Sequence, residues 1–239
     1  MRRRTMPISW PRRDLRHYRF AMFNAVWEYK LKPIEFVIFS YLCYCSSASE
    51  PTLKEIAAGV YMTAGTVKKY LEALGERGLV TAERSLALDV QCITSEKFFT
   101  LPNEVFLLRL SPSAFMVYAY LLLIEDRRTH TCHPSYNTIA AATRMSKNTV
   151  IKSIGALLEM ELITVESSSY FDKCGMKWKG NNLYTILPVR SAVDTLHRRQ
   201  LCQLELDTER RRVIRQQQEY DRRHPQSNPV CPNLHSGST

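Results

Sequence analysis

Residues 34–45 carry apolar side chains nearly all round, with Ile34, Phe36, Val37, Ile38, Phe39, Tyr41 and Leu42 leaving no polar stripe. Such a run predicts a buried helix with Pro33 at its first turn. Its aromatic and β-branched residues would also suit a strand. A second run at 113–124, with Ala114, Met116, Ala119, Leu121, Leu122 and Leu123, has the composition of a helix and decides between the two. Beyond the first run the apolar positions thin to a helical spacing. Thr52 followed by Glu55 has the form of a capping box, opening a helix from Leu53 to about Gly59. Val60-Tyr61-Met62 makes a turn, and Thr63 caps a third helix that runs to about Arg77 and stops at Gly78. Leu79 to Ala82 and Leu86 to Ile93 alternate like a short two-stranded ribbon with Glu83-Arg84-Ser85 at its tip. The second run, opened by Ser111-Pro112, belongs to helices at about 113–125, 135–142 and 146–160. A longer ribbon follows, pairing Leu162-Ile163-Thr164-Val165 with Asn182-Leu183-Tyr184-Thr185-Ile186.

The succession occurs twice because the sequence itself is repeated. Pro51 to Ala58 matches Pro134 to Ala141, and Met62 to Val67 matches Met145 to Val150. Leu71, Leu74, Leu79, Val80 and Thr81 return as Ile154, Leu157, Leu162, Ile163 and Thr164. Ahead of them Phe20, Asn24, Val26, Leu31, Pro33, Phe36, Tyr41 and Leu42 return as Phe99, Asn103, Val105, Leu110, Pro112, Phe115, Tyr120 and Leu121. The offset grows from 79 (Pro33 to Pro112) to 83 (Pro51 to Pro134), so the second copy has a longer connection before its second helix. Three helices closed by a β-ribbon make a winged helix-turn-helix, and so long a period predicts two successive domains rather than a solenoid. The expected fold is therefore mainly α with small β-wings (α+β): tandem winged helix-turn-helix domains plus a C-terminal helix. The expected boundaries are a basic flexible arm at 1–17, domains at 18–94 and 95–189, a charged helix at 190–224 and a disordered tail at 225–239.

Charge changes what such a fold is for. The 239 residues hold 33 Lys and Arg against 23 Asp and Glu, a formal net charge of +10. That excess favours a polyanionic partner, nucleic acid or an acidic membrane surface, although it also serves solubility alone. No stretch of about 18 apolar residues exists to span a membrane. Met1-Arg2-Arg3-Arg4 lacks the apolar segment of a signal peptide behind it, so a cytoplasmic protein is expected. Seven cysteines without a CxxC pair fit buried, reduced thiols. His130, Cys132 and His133 are the one metal-like cluster, without an evident second half-site, and no metal or cofactor is expected.

In a helix-turn-helix the third helix enters the major groove. Val150, Ile154 and Leu157 share one face of that helix and must point inward. The opposite face presents Asn148, Thr149 and Lys152, with Lys147 and Ser146 at its start. These are short donors and cations able to read base edges and grip phosphate; Asn148 can make a bidentate bond to adenine. An ordinary solvated helix face is the alternative. The first copy offers Thr63, Gly65, Thr66, Lys68 and Lys69, opposed by Glu72, so the second copy is the expected reader. Lys173, Lys177 and Lys179 are expected at the second wing tip, with Gly175 and Gly180 allowing the turn. No phosphate-binding glycine loop, nucleophile elbow or deaminase pattern occurs, so no enzyme is expected, and Tyr170 and Tyr184 read as sheet residues.

Phe99 to Phe106, Leu110 to Pro112, Pro134 to Ile163 and Asn181 to Tyr184 resemble a bacterial winged helix-turn-helix family. That family is related to the N-terminal domains of replication initiators from plasmids, phages and conjugative elements. The likeness spans most of 97–187 and, more weakly, 18–94. It implies binding of duplex DNA by Ser146 to Lys152 and by the wing at Lys173 to Lys179. The use it implies is replication initiation or control of a mobile element. Transcriptional regulation as a repressor remains open, as does a non-catalytic protein-interaction module. The expected partners are double-stranded DNA, a second copy of the chain, and replication or transcription machinery.

Overall fold

A helix leaves its first amide groups without partners, and hydroxyl side chains in this chain take up that role repeatedly. A computed structural model describes residues 19–45, 51–80, 97–171, 174 and 176–224. Helices α1 (Pro33–Cys45), α2 (Leu53–Gly59) and α3 (Ala64–Glu76) form the first copy. Helices α4 (Pro112–Ile124), α5 (Tyr136–Thr143) and α6 (Lys147–Glu159) form the second. Thr52, Thr63, Ser111, Ser135 and Ser146 each accept the amide hydrogen bond that opens the helix behind them. At Thr52 the capping box is complete, since Glu55 returns to the Thr52 amide and that bond holds its carboxyl below the usual range. Left-handed residues recur at matching places: Lys30 and Arg109, Tyr61 and Arg144, Gly78 and Glu161.

The second copy closes with a three-stranded antiparallel sheet in the order β3-β5-β4, where β3 is Thr131–Cys132, β4 Ile163–Phe171 and β5 Lys177–Ile186. Ile163 pairs with Ile186 and Val165 with Tyr184, which fixes the wing against the helices. The fold is mainly helical with small antiparallel sheets, a winged helix-turn-helix architecture. The expected first wing falls largely on residues 81–96, outside the described residues, as do the arm at 1–17 and the tail at 225–239. Tyr170 and Tyr184 both lie in strands, and Tyr184 is fully buried with its hydroxyl accepting from the Asn182 amide at 3.2 Å.

The lead-in segments do something the repeat alone does not show. Arg19–Phe23 (β1) and Phe98–Pro102 (β2) pair antiparallel with each other, one strand from each copy. Ala21 sits opposite Thr100, its own counterpart in the other copy, and Phe20 opposite Leu101 mirrors Met22 opposite Phe99. Aromatic contacts repeat the same reciprocity. Trp27 meets Tyr120 edge-on at 5.5 Å, and its counterpart Phe106 meets Tyr41 edge-on at 5.2 Å. Phe20 with Phe106 (5.7 Å) mirrors Phe99 with Trp27 (6.4 Å), while Phe36 and Phe115, equivalent residues, face each other at 6.2 Å. The two copies are thus joined by an internal pseudo-dyad, the isologous geometry of a two-fold dimer within one chain. The described residues up to Leu196 form one compact unit.

Helix α7 (Val189–Arg223) starts in that unit, burying Ala192 and Val193. From His197 it continues as an exposed, polar helix laced by pairs such as Gln203–Asp207 and Gln217–Asp221. The cysteines correct one expectation. Cys43 and Cys132 are buried and their thiols pushed up by burial, Cys132 to about 12, but Cys174 and Cys202 are exposed. Cys174 lies between the wing strands and Cys202 on the polar helix, where no core is available to cover a thiol.

Candidate nucleic-acid interface

A third helix can lie in a groove only when one face anchors it and the other stays bare. Val150, Ile154 and Leu157 anchor α6 at 0, 2 and 0 % exposure, with Ser153 buried beside them. Lys147, Asn148 and Lys152 are exposed on the outer side, with Thr149, Gly155 and Ala156 half-buried. The Ser146 hydroxyl accepts the Thr149 amide at 3.1 Å and lies 2.8 Å from the Thr149 hydroxyl. Ser146 and Thr149 thus hold the helix start in shape, and Asn148, Lys147 and Lys152 supply the long polar groups.

Ile151 and Leu158 stand on the outer surface too, 42 % and 41 % exposed. The apolar pattern of α6 does not mark Ile151 as outward, although its counterpart in the first copy is the cation Lys68. Aligning the copies position by position is the signal that finds it. An exposed aliphatic side chain beside an amide and an ammonium suits a base edge carrying a thymine methyl.

The surface at Gly155 is low for no reason of packing, since an added Cβ would meet no atom within 4 Å. Gly155→Ala is expected to stabilise the protein by about 0.5–1 kcal/mol, as alanine does in a helix interior. Urea denaturation checks this, and a loss of stability would mean that the backbone there needs glycine.

α3 is built alike, with Val67, Leu71 and Leu74 at 0, 8 and 0 % exposure and Gly65, Lys68 and Lys69 exposed. Thr63 and Thr66 join their hydroxyls at 2.8 Å in the cap. The chemistry is poorer. Lys69 lies over the Tyr70 ring, 5.9 Å from its centre, and Glu72 is exposed where α6 has Gly155. The turn before α3 is also engaged, for the Arg109 guanidinium of the second copy stacks over Tyr61 at 4.4 Å. The counterparts Lys30 and Arg144 are both cations and cannot reproduce that contact. Of the wing lysines, Lys177 and Lys179 lie on β5 opposite Phe171 and Ser169, and Lys173 is outside the described residues. Gly180 lies against the Ser168 hydroxyl, which an added Cβ would meet.

Residues 108–163 match the helix-turn-helix domain family. The match runs from the end of the second lead-in through α4, α5 and α6 to the first residue of β4, so it contains the whole α6 face. A helix-turn-helix domain is a DNA-binding architecture. A solved structure described as a possible transcriptional regulator from Methanosarcina mazei Go1 is similar at 17 % identity and a TM-score of 0.31, over 43 % of this chain and 80 % of that one. No curated protein matches the chain. Among the described residues no helix is long and apolar enough to cross a membrane, and no three metal-ligating side chains converge.

Proposed function

We propose that the chain is a non-catalytic, sequence-specific binder of double-stranded DNA that reads its site with the outer face of α6. The observation that carries this reading is the combination of a buried Val150–Ile154–Leu157 stripe with exposed Asn148 and Lys152 opposite it and exposed Ile151 on the flank. An anchored helix with an amide, an aliphatic group and a cation outward has the chemistry of base readout plus phosphate grip. The formal charge of +10 adds the long-range attraction that brings DNA to it. The first helix-turn-helix is a second, weaker contact through Lys68 and Lys69, and the wing lysines Lys173, Lys177 and Lys179 reach the flanking backbone.

Selection of bound duplexes from a random pool at near-physiological salt tests the proposal. On the enriched site Asn148→Ala is expected to cost about 1–3 kcal/mol while leaving binding to random DNA unchanged. Lys152→Ala should weaken binding to every sequence and lower the salt slope by about one. Equal behaviour of the two variants would remove Asn148 as a base reader. Under this reading Gly155→Ala becomes a contrast between properties, since its added methyl group weakens DNA binding as it strengthens the helix.

The resemblance to replication initiators supports a site at an origin or control region of a mobile element. Fragments recovered bound in cells decide that step, and enrichment at promoters of unrelated genes would make the protein a transcriptional regulator. A pool without an enriched sequence, together with salt-insensitive binding, would favour the protein-interaction module.

A further inference from the structure

We propose that one chain carries both halves of a two-fold DNA reader, so that a single copy recognises an imperfect inverted repeat. This rests on the DNA-binding reading above and deepens it by fixing the arrangement of the target. A sequence repeat read end to end would suggest two modules strung along DNA and facing the same way. The core contradicts that arrangement. Ala21 pairs with its counterpart Thr100 at the centre of the β1–β2 ladder, and Phe36 faces its counterpart Phe115. Trp27–Tyr120 and Phe106–Tyr41 are the same contact made twice in opposite senses. These contacts define a rotation, not a translation.

The anchoring stripes of α3 and α6 are built from matching positions, so the same rotation relates their outer faces. Two faces related by a two-fold axis can sit on one duplex only with that axis crossing the duplex axis. Their half-sites must then run in opposite directions, as they do under two-fold dimers. In this chain the dyad is internal, which removes the need for a second copy. It is also imperfect. Asn148, Ile151, Lys152 and Gly155 stand where the first copy has Gly65, Lys68, Lys69 and Glu72, so the half-sites must differ in sequence. The α6 half is the sharply read one and the α3 half the more weakly read, because Gly65 offers no side chain where Asn148 offers an amide.

The test uses the full chain and the duplex enriched from the random pool. Native mass spectrometry should find one chain per duplex. Turning one half-site around at unchanged spacing, to make a direct repeat, should weaken binding about tenfold or more, because it removes one half-site's worth of contacts. In hydroxyl-radical footprints Lys69→Ala should thin protection over one half and Lys152→Ala over the other. Two chains per duplex would overturn the proposal, as would equal affinity for the direct repeat or both variants acting on the same half. Each of those results leaves DNA binding standing. A pool without any enriched sequence defeats the sequence-specific reading itself, and the proposal with it.

Discussion

Replacing Arg77 with methionine is expected to cost the fold about 3–5 kcal/mol, and replacing Glu35 with alanine in the same chain to return most of it. The Glu35 carboxylate is almost fully buried at the start of α1, where it accepts the Lys32 amide at 2.8 Å and stands 3.3 Å from the Arg77 guanidinium. Arg77, about one-third exposed at 34 %, also donates to the Tyr29 carbonyl at 2.7 Å, tying the end of α3 to the lead-in. Removing the arginine strands a carboxylate in the core, and that desolvated charge is the source of the loss. The second copy shows the apolar solution at the same two places, with Ala114 fully buried and Met160 packed against the core. Urea denaturation of the single and double variants measures both terms. A single variant within about 1 kcal/mol of the parent, or a double variant no better than the single, would sink this account.

Phe36→Ala is expected to cost a further kind of stability, about 3–5 kcal/mol, with both copies unfolding in one transition. Phe36 and Phe115 are 1 % and 2 % exposed and meet on the pseudo-dyad, and each also packs on the other aromatic of its own copy, Trp27 at 4.9 Å and Phe106 at 5.5 Å. The cavity therefore opens at the seam rather than inside either half. Amide exchange in α3 and α6 should accelerate together in this variant, and in Phe115→Ala equally. Protection lost in the first copy alone would show that the halves fold independently and that the seam is a docking contact. Phe36→Leu, which keeps most of the volume, should give a smaller loss of the same pattern.

The helices were legible because their signals are local. A hydroxyl residue before a start and an i, i+4, i+7 stripe after it act within a few residues, and Thr52, Thr63 and Ser111 cap as their positions imply, while Ser135 and Ser146, expected as first helical residues, stand one place earlier as caps. The outer face of α6 was legible for the same reason, since naming Val150, Ile154 and Leu157 as inward leaves Asn148 and Lys152 outward. Ile151 was missed because an apolar residue one step from the stripe reads as core until the helix is placed. The two-residue β3 was missed because two residues carry no period, and Cys132 drew attention as a metal-like donor when its place is a buried strand.

The repeat, the helices and the inward and outward faces of the third helix were determined by the sequence by itself, through periodicity and caps that need no partner far along the chain. Only the tertiary structure decided how the copies face each other. The lead-ins alternate as short strands, Phe20 and Met22 inward, Phe99 and Leu101 inward, yet the ladder partner of Phe20 is Leu101, in the other copy. A strand's own residues specify which face is buried but not which strand completes the ladder. That choice was made by the aromatic seam, where each ring finds its counterpart's neighbour only when one copy is rotated onto the other.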